Sequence, residues 1–547
     1  MRMVLNGLHE WFPRLRRGVY KEDTSREELL GCSCKKNVCC QYFPDDSNFA
    51  MNMTMIRTPL AFLVLILAAM AAPAATVQPN IVLIVADDQG YADLGCADLA
   101  LDVFTPNLDR LASQGVRFTQ AYASAPICNA SRVALITGAH QQRQGVFWYG
   151  GPGLRDSSRP TLAEILKAKG YATGYIGKFH YGAEPSHKPG HRNFPLEHGF
   201  DSFFGFSGGR KHYLHHQAHA EISFLEAKAQ HQRQGQSLAQ GPMWAGTNKQ
   251  DQVGLSTELF GEQARRFIRR NENKPFYLHL AFNAVHNFTH QLPDHYLAAR
   301  NLKGIRDWDP AKEEYYDWYR QSRFPNNPEG RALYLGQLDF LDREVGKVLD
   351  LIQRLGLREK TIVIYLADNG GSTPIYANNG PLRGSKYTLY EGGIRIPLIV
   401  SWPGQFQQGQ VRDNVVSAMD LLPTFCRALG LQPPPIVDGI DIGPLLRGHN
   451  TDLAHETLYW NTRNETAIRH QKWKLRTATD NKHADYEMVD LELGTFLYDL
   501  EKDPGERENL AGQYPDRVAK MKEMQATWLR EVTGGGKPET TDQAEDL

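Results

Sequence analysis

Two runs in the chain, 80–86 (NIVLIVA) and 361–366 (TIVIYL), are apolar at every position instead of alternating with polar residues. A strand covered by helices on both faces of a parallel sheet requires that pattern, because neither of its sides meets water. Acidic pairs follow both runs: Asp87-Asp88 directly after the first, Asp368-Asn369 one residue after the second. Between and around them, strand-like and helix-like segments alternate. Residues 106–115 open with Pro and close with Gly, the usual punctuation of a helix. Residues 161–169 repeat the helical pattern and lead into a strand at 171–176, and 275–282 reads as another strand. Leu335, Leu338, Leu341, Val345, Val348, Leu349 and Ile352 recur at helical spacing, which predicts one long helix before 361–366. Strands alternating with helices predict an α/β sheet whose site lies beyond the carboxyl ends of the strands.

A chain of 547 residues exceeds one simple core and predicts a large domain with a smaller one. The texture changes after about residue 430, where 433–435 is PPP. The expected division is a leader over 1–75, a catalytic domain over 76–430, a C-terminal subdomain over 431–535 and a polar tail over 536–547. Within the C-terminal part, short strand candidates precede a turn-rich stretch at 503–505 and a final helix near 515–532. Lys+Arg 61 against Asp+Glu 62 leaves a net charge of -1, so no global field recruits nucleic acid or an acidic membrane.

The segment 59–72 (PLAFLVLILAAMAA) is apolar over 14 residues, too short to cross a hydrocarbon core of about 30 Å. Arg57 precedes it and Ala72-Pro73-Ala74 follows, which together describe a signal peptide over 51–74. Met51, Met53 and Met55 offer starts just upstream. The expectation is a secreted or periplasmic protein with no stable membrane span once mature; a signal anchor with a short cytoplasmic tail is the alternative. Cys32, Cys34, Cys39 and Cys40 fall in this leader without a second knuckle to complete a metal site. Cys96, Cys128 and Cys426 remain, too few for a disulfide framework.

The side chains of Asp87, Asp88, Asp368 and Asn369 all offer oxygen, the donor that hard cations such as Ca²⁺ and Mg²⁺ prefer. Adjacent carboxylates repel unless a cation or proton intervenes. Each pair alone reads first as a turn or helix cap; two pairs at equivalent strand ends make a metal site the better reading. Between them, 128–138 (CNASRVALITG) reads as a loop entering a helix, with Cys128 at its start. Amide N–H groups there favour an anion, and Arg132, one turn on, adds a fork of donors. A lone cysteine is otherwise a small buried hydrophobe.

This C-x-A-S-R-x-x-L-x-T-G stretch resembles the sulfatase signature, in which Cys or Ser is oxidised to formylglycine during maturation. The resemblance continues through NIVLIVADDQG, TPNLDRLASQGVRFTQAY, GYIGKFHYG, HGFDSFFGF, LADNGG, LRGSKYTLYEGGIRIP and FLYDLEKDPGERENL, in the family's order across 79–532. It implies an alkaline-phosphatase-like fold, a central mostly parallel sheet flanked by helices, with a smaller C-terminal α+β subdomain carrying a short antiparallel sheet. It also implies a sulfuric ester hydrolase whose substrate is a sulfated small molecule or glycan, and a formylglycine-generating maturase as partner. By matching position, Asp87, Asp88, Asp368 and Asn369 are the expected ligands of one Ca²⁺, with residue 128 completing the shell. Cys128 is the expected formylglycine, whose hydrate attacks sulfur and later expels sulfate. Arg132 is expected to support that hydrate, Lys178 and His180 to flank nucleophile and sulfate, and His286 and Lys386 to contact the sulfate and the departing alcohol.

Several positions depart from the family pattern. Ala130 stands where the commonest signature has Pro, a position maturases read, so radical-based conversion is expected to tolerate it better than oxygen-dependent conversion. Phe179 replaces a usual Trp and is expected to keep an aromatic wall. Val285 and Phe288 flank His286 where prolines are frequent. Asn129-Ala130-Ser131 forms a glycosylation sequon that this reading buries. His212, His215, His216 and His219, within an insertion over 206–220, match no family motif and read either as pocket lining or as a surface loop. The same residues leave two other readings: a phosphate or phosphonate ester hydrolase, or an unconverted, non-catalytic protein that binds sulfated glycans.

Overall fold

The two apolar runs are neighbouring strands. The computed structural model describes residues 78–534 apart from 184–185, 210, 216–241, 306–311, 314, 453, 483 and 485–488. In chain order the strands are β1 (Asn80–Ala86), β2 (Val116–Tyr122), β3 (Ala172–Phe179), β4 (Ser202–Ser207), β5 (Leu214–His215), β6 (Met243–Ala245), β7 (Asn248–Gln250) and β8 (Gly254–Leu255). They continue with β9 (Phe276–Ala281), β10 (Thr361–Ala367), β11 (Arg395–Ser401), β12 (Gln410–Ser417), β13 (Thr457–Asn461), β14 (Glu465–His470), β15 (Trp473–Ala478) and β16 (Gly494–Asp499). Ten of them form one sheet in the order β12-β2-β11-β10-β1-β9-β3-β4-β6-β7. The five at its centre, β10-β1-β9-β3-β4, are all parallel, while β11 and β6 run against their neighbours. The expected central, mostly parallel sheet is therefore present.

Alternate residues of β1 serve opposite layers. Val82, Ile84 and Ala86 pack into one core, and Ile81, Leu83 and Val85 into the other. Side chains alternate across a strand, so two covered faces demand an apolar residue at every position. The first layer contains the long helix Gly330–Arg354 and the helix Ser256–Asn271. Leu338, Leu341, Val345, Val348, Leu349 and Ile352 are buried there as their spacing predicts, whereas Leu335 at the edge of the stripe is only half-buried. The second layer contains the helices Cys128–Thr137 and Leu421–Ala428 and reaches on to Leu446. The helix Leu162–Lys167 starts at a capping box, in which Thr161 and Glu164 exchange side-chain hydrogen bonds with each other's amides.

A second sheet, β13-β14-β15-β16, is antiparallel throughout. One of its faces packs under the terminal helix Pro515–Val532 through Ile468, Trp473, Leu475, Leu497 and Met521. The other meets the large sheet through Tyr122, Leu389, Ile394, Leu458, Trp460 and Ala467. The segment 1–75 read as a leader with a signal peptide, its four cysteines and the tail at 536–547 lie outside the described residues. Among the described residues no helix is long and apolar enough to cross a membrane, and Cys96, Cys128 and Cys426 are free thiols.

Trp460 joins the two sheets: its ring lies 5.5 Å from that of Tyr122, and its Nε1 donates to the Ala123 carbonyl at 2.8 Å. Truncation leaves a cavity that the surrounding sheets cannot collapse to fill, so Trp460→Ala is expected to cost about 3–5 kcal/mol, read as a lower urea midpoint.

Candidate active site

Four consecutive parallel strands, β10, β1, β9 and β3, deliver their carboxyl ends to one edge of the sheet. Ala86 of β1 is in register with Ala367 of β10, so Asp87-Asp88 and Asp368-Asn369 emerge side by side. Main-chain bonds carry the pairing past the strands: Asp368 N donates to Ala86 O at 3.0 Å and Asp87 N to Ala284 O at 2.9 Å. Lys178 is the penultimate residue of β3, His180 follows that strand, and His286 lies on the loop after β9. Gly177 is required beside Lys178, because its φ is 109° and a Cβ there would stand 1.8 Å from Ala281 O. The helix Cys128–Thr137 begins at Cys128 after an extended Ile127 that offers no side-chain cap, leaving first-turn amides available to an anion.

These residues converge. Lys178 Nζ lies 2.6 Å from Asp87 Oδ2, and Lys386 Nζ lies 2.8 Å from Asp88 Oδ2. Lys386 Nζ also stands 3.0 Å from His286 Nε2 and 4.0 Å from Cys128 Sγ. His180 Nδ1 is 3.4 Å from the same sulfur. Arg132 uses its fork on Asp368 Oδ2, at 2.9 Å from Nε and 2.8 Å from Nη2, and donates from Nη1 to the Lys178 carbonyl at 3.1 Å. Asn369 Nδ2 donates to Asp88 Oδ1 at 2.8 Å. All ten side chains named from the sequence thus meet in one buried cluster.

With all three carboxylates ionised, the three cations beside them balance the cluster's charge, and every member is fully or almost fully buried. Burial pushes Asp87 up to about 7 against the pull of Lys178, and pushes Asp88 up as well. Burial acts on Asp368 too, but Arg132, Lys178 and Lys386 hold it below its ordinary value. Lys386 is the converse case, where burial works against the charge and Asp88 more than restores it. Burial drives His180 well below the usual imidazole range, with Lys178 adding to the effect, so its ring is neutral at pH 7. The Cys128 thiol is raised by burial despite Lys178 and Lys386, which keeps it protonated.

One oxygen from each of Asp87, Asp88 and Asp368 falls within 4.8 Å of the others. Asp87 Oδ1 and Asn369 Oδ1 are buried without a hydrogen-bond donor from the protein. Buried acceptors of that kind are costly unless something coordinates them. An all-oxygen set of three carboxylates and one amide fits a hard divalent cation such as Ca²⁺. Such a cation would add two positive charges to a neutral site and make it receptive to an anionic ester.

Some neighbours behave differently from expectation. Phe179 does not wall the site: it packs inward against His187, Phe194 and Phe203 at 5.1–5.6 Å. Adjacent strand residues point to opposite faces, so Lys178 facing the site sends Phe179 into the core. Asn129 is buried, as the sequon reading required. It is also a structural residue that motif reading missed. Its Nδ2 donates to Trp148 O at 3.0 Å and Gly150 O at 2.8 Å, and its Oδ1 accepts from Gly182 N at 2.7 Å. It thereby ties two loops to the residue beside Cys128, and only its place next to Cys128 could have signalled this. His212 is buried and packs on Phe288, with ring centroids 4.4 Å apart, and His215 is buried as well. His216 and His219 lie outside the described residues.

Comparison with known proteins accords with this geometry. The sulfatase family model matches residues 79–431, and a model described as N-sulphoglucosamine sulphohydrolase, C-terminal, matches 385–532. Human (Homo sapiens) arylsulfatase A is 33% identical over 501 residues, spanning 84% of this chain and 90% of that protein. Mouse (Mus musculus) N-acetylgalactosamine-6-sulfatase is 29% identical over 504 residues, spanning 84% and 88%. The solved structure of Ps i-CgsB in complex with k-i-k-neocarrahexaose is similar at TM-score 0.68 and 27% identity, covering 85% of this chain and 96% of that one. The chain belongs to the sulfatase family. Its fold is the alkaline-phosphatase-like α/β arrangement with a small C-terminal antiparallel sheet, and it is an enzyme that hydrolyses sulfate esters.

A divalent cation held by Asp87 would compete there with protons. Because that carboxyl is raised to about 7, it is protonated below that pH and ionised above it. Calorimetric titration with calcium is therefore expected to give a dissociation constant about ten-fold lower at pH 8 than at pH 6. A constant independent of pH would contradict this ligand set.

Proposed function

We propose that the chain hydrolyses sulfate esters with a formylglycine made from Cys128, beside one calcium ion held by Asp87, Asp88, Asp368 and Asn369. The observation that carries this reading is the setting of Cys128. Its sulfur lies within 4.8 Å of ligand atoms of Asp87 and His286, at a helix start, yet burial keeps the thiol protonated. A buried, protonated thiol is a poor nucleophile, and sulfur is a poor ligand for a hard cation. An oxygen at the same position answers both objections.

As a hydrated formylglycine, residue 128 would supply an oxygen for attack on sulfur and a second hydroxyl whose deprotonation expels sulfate. Calcium would neutralise charge gathering on the sulfuryl oxygens. The remaining work falls to the chain's own side chains. Lys178 and Lys386 hold the sulfate and offset its charge. His180, neutral and 3.4 Å from Sγ, takes the proton released at position 128. Lys386, kept charged by Asp88 and 3.0 Å from His286 Nε2, forms with His286 the pair that serves the leaving alcohol. Arg132 braces Asp368 and so keeps the cation ligands in position.

Sulfated carbohydrate is the substrate class we favour. Support comes from the second family model, whose description names an N-sulphoglucosamine sulphohydrolase, and from the neocarrahexaose complex among similar structures. Release of free sulfate from a panel of sulfated glycans tests the class, and release from none would count against it. Maturation by a formylglycine-generating enzyme tolerant of Ala130, and export through a signal peptide over 51–74, complete the proposal.

Mass spectrometry of the peptide spanning residue 128, after co-expression with each type of maturase, is expected to show the CH₂SH group replaced by an aldehyde. Unmodified Cys128 with both would overturn the nucleophile and favour the glycan-binding reading. With the converted enzyme, 4-nitrophenyl sulfate is expected to be turned over faster than 4-nitrophenyl phosphate. Cys128→Ala is expected to lower kcat at least about 10³-fold. Faster turnover of the phosphate would point to a phosphate ester hydrolase instead.

A further inference from the structure

The loop that carries Lys386 has two faces. On one, Lys386 Nζ reaches Asp88, His286 and Cys128 at 2.8, 3.0 and 4.0 Å, and Tyr387 N donates to Pro126 O at 2.8 Å, two residues before Cys128. On the other, the next few residues are gripped by side chains of the small C-terminal sheet and the turn after it. Glu465 of β14 accepts from Leu389 N at 2.9 Å, and Glu506 accepts from Glu391 N at 2.6 Å. Lys474 of β15 bridges the Glu391 and Glu506 carboxylates, at 2.9 Å from each. Two guanidinium groups lie over the Tyr390 ring, Arg383 at 4.4 Å and Arg476 at 4.0 Å, and its hydroxyl accepts from Arg476 at 2.8 Å.

Glu391, Lys474 and Glu506 have no exposed surface at all. Burying two carboxylates and an ammonium is costly unless each is paired, and the gain from such a group is geometric definition more than stability. A single hydrophobic contact would dock the small sheet, and the cluster around Trp460 already does so. The charged grip falls on the segment three to five residues beyond Lys386: on the Leu389 and Glu391 amides and on the side chains of Tyr390 and Glu391.

We propose that Glu506 and Lys474 are positioning residues for sulfate-ester hydrolysis: by holding the main chain at 389–391 they set the ammonium of Lys386 against Asp88 and the sulfate. The C-terminal sheet thereby takes part in the reaction without contributing a group that touches substrate. This rests on the role given above to Lys386.

A double-mutant cycle on converted enzyme, with 4-nitrophenyl sulfate and rates normalised to formylglycine content, tests the link. Glu506→Ala is expected to lower kcat about 10–100-fold with a much smaller change in KM. In a Lys386→Ala background the same substitution is expected to cost nothing further, because the group it positions is gone. A Glu506→Ala enzyme that melts earlier but keeps its kcat would overturn the proposal, as would losses that multiply across the two sites. An unchanged kcat in Lys386→Ala would instead overturn the role of Lys386 itself, and this link with it. If Glu506→Ala does not accumulate, Glu506→Gln runs the same cycle: it keeps an oxygen for the Glu391 amide and gives up the charge that holds Lys474.

Discussion

Three carboxylates buried at adjoining strand ends are the constraint on which the rest of the structure depends. Asp87, Asp88 and Asp368 cannot all be ionised in a dry site without compensation. Each of the three cations around them comes from a different element: Arg132 from the helix Cys128–Thr137, Lys178 from β3, Lys386 from the long loop before β11. The electrostatic demand of the cluster thus dictates which elements must meet, and the same meeting brings Cys128 to the centre. With its charges balanced inside the protein, the site would be completed for an anionic substrate by the divalent cation proposed above.

The large sheet meets this demand by geometry. Parallel strands in register put every carboxyl end on one edge, so residues far apart in the chain share a level without long side chains reaching across. The helix Cys128–Thr137 is buried along its whole length, and Asn129 fixes its first turn to the neighbouring loops. Rigidity at Cys128 therefore comes from packing all round it, as a preorganised site requires. The small sheet adds a second anchoring layer through Glu465, Lys474 and Glu506, behind the loop of Lys386.

Much of this was legible in the residues. Continuous apolar runs announced the buried strands, and helical spacing announced the long helix to within a turn or two of its ends. The oxygen-rich pairs and the matched motifs named the residues that converge in the cluster: Asp87, Asp88, Asp368 and Asn369 with Cys128, Arg132, Lys178, His180, His286 and Lys386. Side-chain direction was harder: Phe179, one residue from Lys178, was read toward the site and packs into the core, because strand alternation separates the two. Arg132 reads in sequence as a donor for an anion, yet its fork is engaged by Asp368, 236 residues away. The His-rich insertion carried no periodicity to show that His212 and His215 would be buried.

By itself, the sequence determined the parallel α/β architecture, the family and the chemical identity of the site residues, since periodicity and local motifs are properties of neighbours in the chain. Only the tertiary structure decided which charge answers which. The grip of Lys474 and Glu506 on Glu391 spans 83 and 115 residues. An ion pair leaves no local signature in either partner's segment, and its existence depends on two sheets docking so that water is excluded between them. For the same reason the raised carboxyl of Asp87 and the neutral ring of His180 are properties of burial, which no residue carries until the chain has folded around it.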